Sequence, residues 1–445
     1  MDRDRRVLCG GAVAVAGSTI LEVGSTSELR RRWPGVAELD AGGAVVTPGL
    51  INAHQHHTGD PLLRSCIPDD LAPGESIFSW SIPIHGHHGP EDDELSATLV
   101  AAECARNGVT TVIEAGTVAH PVRAAAGMTA VGVRGAIGTW GWDVDGLPYS
   151  APVEEVLARQ REVLDAFPPG GTVAGWVTLV GHSLASDELL AGAAELARER
   201  KTNMTMHLSP TRSDPEIYLE RHGRRPVTHL EHLGVLGRHL LIAHGVWIDD
   251  EEVAALLRTG TAVAYCPWAY LRLGQGVTGH GRHAELFKSG GRIALGCDAS
   301  NAGDQADILR AAALAVGLAK DVREDPTWFS AADGFEMATC RGAEAVGLGD
   351  IVGSLEAGKQ ADLVIFEPTS AACSPRGETA LQLVWSADGR CVRDVMVAGK
   401  MIVRHGRCLG VDEESALVEA EKQRRFLLER AGITIPHRWP HLDAR

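Results

Sequence analysis

Three histidines crowd the run TPGLINAHQHHTGD: His54, His56 and His57, directly behind an apolar segment that reads as a strand. Side chains alternate faces along a strand, so His54 and His56 point one way while Gln55 and His57 point the other. Two imidazoles on one face can grip one ion; His57 cannot join them while the strand stays regular. A metal needs further ligands, and the chain offers three at a repeated address. His207 ends the run NMTMH, His244 ends HLLIAH, and Asp298 ends RIALGCD. Imidazoles with one carboxylate suit zinc first, with iron, cobalt or manganese as the other divalent candidates. A lone histidine at a strand end is ordinarily a hydrogen-bonded core residue. Five ligand-type residues at the same end of successive strands predict a metal centre instead.

Those residues can meet only if their strands run parallel. Eight strand-like runs are visible, at 49–56, 109–116, 131–138, 173–182, 203–207, 239–244, 261–266 and 292–298. Amphipathic stretches such as PVEEVLARQREVLDAF and SDELLAGAAELARER lie between most of them. Alternating strands and helices of this number predict an α/β fold of the (β/α)8 type, in which all strand C-termini gather at one face. A doubly wound open sheet is the alternative, but the first strand–helix turn carries no GxGxxG. Residues 1–48 and 352–410 hold short alternating runs with Gly turns and predict one small β-sandwich domain built from both ends of the chain. The barrel then spans 49–351, and 411–445 forms a final helix and polar tail. The stretch 57–108 exceeds an ordinary connection and is expected to cover the site.

Composition narrows the partners. Lys and Arg total 42 against 58 Asp and Glu, a net charge of −16 with no basic stripe, which argues against nucleic acid. The nine cysteines are odd in number and lack any CxxC, so buried thiols are expected rather than disulfides or a zinc knuckle. No apolar run reaches the roughly 18–20 residues of a spanning helix, and the charged start MDRDRR makes a poor signal peptide. The expectation is a cytoplasmic protein with a small-molecule substrate and no membrane partner.

Other clusters carry less. His85 and His87 in IHGHHGP, and the run GHGRH (279–283), sit between Gly and Pro residues and read as lid loops rather than ligands. His182 and Glu114 end the fourth and second predicted strands and either face the substrate or join a rim network. Trp80, Trp140, Trp142 and Trp268 either wall a pocket or pack.

The motifs TPGLINAHQH, MHL, LIAHG, LGCD and GSLEAGKQADLVIF together resemble the amidohydrolase superfamily, over about residues 5–405. The nearest branch is the one with cytosine deaminase, adenosylhomocysteine-type deaminases and triazine hydrolases. By that resemblance His54, His56, His207 and Asp298 bind one metal ion, usually zinc or iron, and His244 hydrogen-bonds the metal-bound water. The resemblance also implies a homodimer or tetramer. Strand four shows no candidate for a carboxylated lysine, so one ion is expected rather than two.

The sequence departs from that branch at one place. Its deaminases carry H-x-x-E at the fifth strand, where the Glu protonates the ring nitrogen beside the attacked carbon; here His207 is followed by Leu208, Ser209 and Pro210. Proline donates no proton. The segment AYLRLGQG (269–276) is altered as well. An aromatic aminoheterocycle needs ring protonation, whereas an amide, urea, carbamate or cyclic amide does not. The sequence therefore favours hydrolysis of a carbonyl-type, non-peptide C–N bond. Deamination or dechlorination of a purine, pyrimidine or triazine-like ring is the alternative, with Asp214, Glu216 or Glu114 as a replacement acid. A binding protein without turnover is the third reading, against which the intact ligand set speaks.

Overall fold

The computed structural model describes residues 1–58, 60–181, 183–367 and 369–440. The first segment supplies β1 (Gly11–Ala16), β2 (Thr19–Ser25) and β3 (Val46–Pro48). Then come β4 (Leu50–Gln55), β5 (Val109–Glu114), β6 (Arg134–Ile137), β7 (Val173–Gly175) and β8 (Val177–Gly181). The series ends with β9 (Met204–Leu208), β10 (Leu240–His244), β11 (Ala262–Tyr265) and β12 (Arg292–Leu295). These nine pair in parallel, in the orders β4-β5-β6-β7 and β8-β9-β10-β11-β12.

β7 and β8 are one predicted strand interrupted at Trp176, whose amide still donates to Ile137 O at 3.0 Å. The seam between β12 and β4 closes at the top, where the amides of Cys297 and Asp298 donate to His54 O at 3.1 and 2.9 Å. The result is the expected (β/α)8 barrel. The third strand is shorter than its apolar run suggests, because Gly132 at φ +97° ends the preceding helix Pro121–Val131. A left-handed residue at that point is the ordinary glycine stop.

Two cores sit on either side of the barrel wall. The outer one joins strands to helices. The inner one is built from small residues, with Ala53, Ala136, Ala262, Ala264 and Ala294 alongside Ile51, Ile113 and Leu241. Ala343, Ala345 and Val346, at the end of the helix Cys340–Ala345, pack into the same cluster. Arg292, at the start of β12, donates to the carbonyls of Glu344 and Ala345 at 2.8 and 2.9 Å. That end of the barrel is therefore plugged, and only the strand C-termini open onto a site.

β13 (Leu363–Phe366), β14 (Val392–Val397), β15 (Lys400–Arg404) and β16 (Arg407–Cys408) form an antiparallel sheet in the order β16-β15-β14-β13-β3. Strands from both ends of the chain thus share one sheet. The β1–β2 hairpin joins it through a bridge between Thr19 and Gln360. A buried ion pair, Arg134 to Asp362 at 2.9 Å, ties this sheet to β6. Breaking one partner of such a pair leaves an uncompensated buried charge, at a cost of about 3–5 kcal/mol.

The described residues of the 57–108 stretch are largely helical. Short turns at Asp60–Leu63 and Pro73–Glu75 precede a wide turn at Ser76–Ser81 and a short helix Ile82–His85, and a long helix Pro90–Arg106 follows. The C-terminal helix Glu413–Ala431 braces this layer, with Leu427 and Leu428 packed among Leu62, Leu63 and Ile84. All nine cysteines are free thiols. Among the described residues, no helix is long and apolar enough to cross a membrane.

Candidate metal centre

His54, His56, His207, His244 and Asp298 are brought to one place at the barrel mouth, all buried. His56 Nε2 stands 3.3 Å from His207 Nε2 and 3.4 Å from Asp298 Oδ1; His54 Nε2 stands 3.6 Å from that same oxygen. With metal–ligand bonds of roughly 2.0–2.1 Å, two ligands of a tetrahedral zinc ion stand about 3.3–3.4 Å apart. The observed spacing fits one such ion. The tautomers fit as well. His207 Nδ1–H donates to Val180 O at 2.6 Å, which leaves the Nε2 lone pair facing the cluster.

Local backbone explains how these residues arrive. The β4–β5 register shifts between Asn52 and Gln55. Before the shift Ile51 and Ala53 face the inner core; beyond it His54 and His56 face the cluster. The irregularity reverses which face the odd positions occupy, which is the usual effect of a bulge. His57 is fully buried but outside the cluster, and burial together with the neighbouring His56 pushes its pKa down to about 3.

His244 and Asp298 both hold left-handed backbone, at φ +80° and +64°. Non-glycine residues in that region cost on the order of 1–3 kcal/mol and concentrate at functional sites. Gly296 makes room for the turn: a Cβ there would stand 2.7 Å from Cys266 Sγ and 2.9 Å from His54 Cβ. The two Asp298 oxygens face different ways. Oδ1 meets His54, His56 and its own loop amide at Ala299, while Oδ2 lies 4.0 Å from His244 Nδ1. Burial alone would raise the carboxyl pKa, but hydrogen bonds from His54 and His56 and the charges of His54 and His244 hold it well below the usual carboxylate range.

Glu114 lies behind the centre. Its carboxylate accepts the amides of Gly116 and Thr117 at 2.7 and 3.2 Å, and the Thr117 hydroxyl reaches His56 Nδ1 at 2.9 Å. Burial raises the Glu114 pKa. Both Glu114 oxygens are thus engaged by its own loop, and Thr117 links that loop to His56. Of the other acids, Glu216 is exposed and paired with Arg212 at 2.8 Å, whereas Asp214 is buried at the start of the helix Ser213–His222. Pro210 is buried two residues beyond β9, behind Ser209 at φ +51°. His182 lies outside the described residues.

Two further histidines escaped the sequence reading. His283, in the presumed lid run GHGRH, donates from Nε2 to His244 O at 2.6 Å and stacks on Tyr265 at 4.1 Å. It pins the strained His244 backbone from behind, and burial pushes its pKa down to about 4. The ring of His85, also expected in a lid loop, is buried edge-on to Trp140 at 5.3 Å. Only its H-x-H-H neighbourhood marked it in the sequence. Trp140 is tilted against Trp142 at 4.8 Å and stacked on Tyr149 at 5.6 Å, so two of the four tryptophans share a buried aromatic cluster. Trp80 packs with the C-terminal helix and Trp268 lies under Arg310.

Comparison with known proteins defines the class. The amidohydrolase family model matches residues 45–402, and a bacterial imidazolonepropionase-like composite domain matches residues 11–35. The chain belongs to the amidohydrolase family. It is 30% identical to a 5-methylthioadenosine/S-adenosylhomocysteine deaminase of Syntrophobacter fumaroxidans, over 93% of both chains. Among solved structures, a zinc-bound adenosine deaminase from Xanthomonas campestris is 27% identical with a TM-score of 0.90, over 96% of this chain and 95% of that one. The zinc complex of atrazine chlorohydrolase TrzN from Arthrobacter aurescens shares the fold, at 22% identity and a TM-score of 0.87 over 95% and 97%. The protein is a metal-dependent hydrolase acting on non-peptide C–N bonds, with one divalent metal site formed by His and Asp side chains.

Proposed function

We propose that this enzyme is an aminohydrolase that replaces the exocyclic amino group of an aromatic nitrogen heterocycle, of the aminopurine class, with oxygen from water. The observation that carries the reading is the buried cluster of His54, His56, His207, His244 and Asp298, spaced for a single ion at the barrel mouth. Likeness over the full chain to deaminases of adenine-containing compounds supports the same substrate class. This reverses the preference that Pro210 gives when the sequence is read alone.

In this reading His54, His56, His207 and Asp298 Oδ1 hold the ion. When bound, it lowers the pKa of water towards about 7 and so supplies hydroxide at neutral pH. Asp298 Oδ2 takes the proton of the attacking water and returns it to the leaving nitrogen. His244, held by His283, hydrogen-bonds the attacking oxygen and steadies charge developing beside it. Asp214, buried at the start of the helix Ser213–His222, is the candidate acid in place of the missing glutamate. The barrel at 49–351 carries the chemistry, with 1–48 and 352–410 as the composite β domain and 411–445 as an appended helix and tail.

Pro210 keeps a second reading, hydrolysis of a carbonyl-type C–N bond, because no acid stands at its position. A panel of aminopurines, aminopyrimidines, triazines, ureas, carbamates and cyclic amides, assayed by mass spectrometry with and without chelator, separates the two. Chelator-sensitive ammonia release from an aromatic ring is the expected result. Release of an alkyl- or arylamine with no ring deamination would overturn the proposal in favour of the second reading.

A further inference from the structure

A second group of metal-type ligands lies outside the barrel wall, on three helices. Asp187 stands in the first turn of the helix Asp187–Glu199, His222 ends the helix Ser213–His222, and His229 lies in the helix Pro226–His232. Gly223 at φ +64° stops the middle helix, and the short turn that follows folds His229 back over His222. The two imidazoles stack at 3.9 Å and face one carboxylate. His229 Nε2 is 2.8 Å from Asp187 Oδ1, and His222 Nδ1 is 4.0 Å from Asp187 Oδ2.

We infer that Asp187, His222 and His229 form a second, non-catalytic binding site for a divalent first-row ion of the zinc type. All three donor atoms lie within 4.8 Å of one another. One proton between His229 and Asp187 now occupies the space where an ion would sit. Tetrahedral ligands stand about 3.3–3.4 Å apart, so the short contact opens and the long one closes by roughly half an ångström. The side chains permit that: His229 is 4% exposed and fixed, whereas His222 at 28% and Asp187 at 46% can rotate. His229 Nδ1 has no described partner, so nothing else fixes this ring's tautomer. Burial and the neighbouring His229 both lower the His222 pKa, which keeps its lone pair available at neutral pH. The half-open carboxylate leaves an entry path, and water completes the coordination.

Such an ion would staple the helix after the fourth barrel strand to the helix pair after the fifth. Its role is therefore stability, separate from the chemistry at the mouth.

The test counts zinc. Equilibrium dialysis of the full chain against micromolar zinc, read by elemental mass spectrometry, should give two ions per chain. His222→Ala and Asp187→Asn change partly exposed groups and should each give one, with turnover retained and with the zinc-induced rise in Tm reduced. One ion in the wild-type chain, or a second ion kept by either variant, would overturn the assignment. Neither result depends on which substrate the enzyme uses.

Discussion

Asp298 divides its two oxygens between tasks: Oδ1 faces His54 and His56 at 3.6 and 3.4 Å, while Oδ2 is turned to His244 Nδ1 at 4.0 Å. One carboxylate can then hold an ion and move a proton without reorienting. The left-handed backbone at Asp298 and His244 aims both groups, and the space beside Gly296 lets the turn pass.

That division predicts the outcome of Asp298→Asn. The amide oxygen still offers a ligand, but the amide cannot accept the water's proton. Turnover should fall by about 10²–10⁴-fold, the usual worth of a positioned acid–base group, with metal partly retained. Steady-state rates and metal content on the same sample check it. Turnover within a fewfold of wild type would rule out Asp298 as the proton carrier.

Thr117→Val breaks the link from Glu114 to His56 without touching the ion. Partners behind a metal-ligating histidine are worth about 10–100-fold in affinity or activity. Chelator competition should show zinc released at lower chelator concentration, with the fold and Tm of the zinc-saturated protein little changed. Unaltered competition would mean that Glu114 serves only its own loop.

Two buried rings set the acid response of the metal-free protein. His57 and His283 have folded pKa values of about 3 and about 4, below the ordinary 6.5. The unfolded chain takes up these protons first, so the stability they contribute is present above pH 6.5 and is lost as pH falls towards 4 and then 3. Each ring contributes a slope of about 1.4 kcal/mol per pH unit within that window. Urea unfolding of the apo protein at several pH values measures it. His283→Phe, which can still stack on Tyr265, should remove one ring's share of the slope.

Removing the ion should both stop turnover and lower stability. A ligand bound only to the folded state at a thousandfold excess over its Kd adds about 4 kcal/mol. Chelated protein should unfold at lower temperature, and stoichiometric zinc should restore Tm and turnover together. Restored Tm without restored turnover would point to a structural ion alone.

Much of the site was legible before any fold was known. The run His54-Gln55-His56 and the strand ends at His207, His244 and Asp298 identified the five clustered residues by type and position, because parallel strands bring their C-termini to one face. The apolar runs also marked eight barrel strands, and the Gly-punctuated ends marked a shared β domain.

Tertiary structure decided what periodicity cannot carry. Strict alternation would put His54 and His56 on the face opposite Ile51 and Ala53; only the register shift against β5 turns them to the same side. The partners of Glu114 come from a loop that folds back to its own carboxylate, and that of His283 from a contact 39 residues away in sequence. Of the run read as a lid loop, Gly86–Gly89 are non-helical, while Ile84 belongs to a short helix whose packing with Leu427 and Leu428 no local pattern announces. Residue type and strand order are local properties that a sequence displays. Register, backbone strain and the partner behind each ligand arise only when distant segments compete for the same buried space.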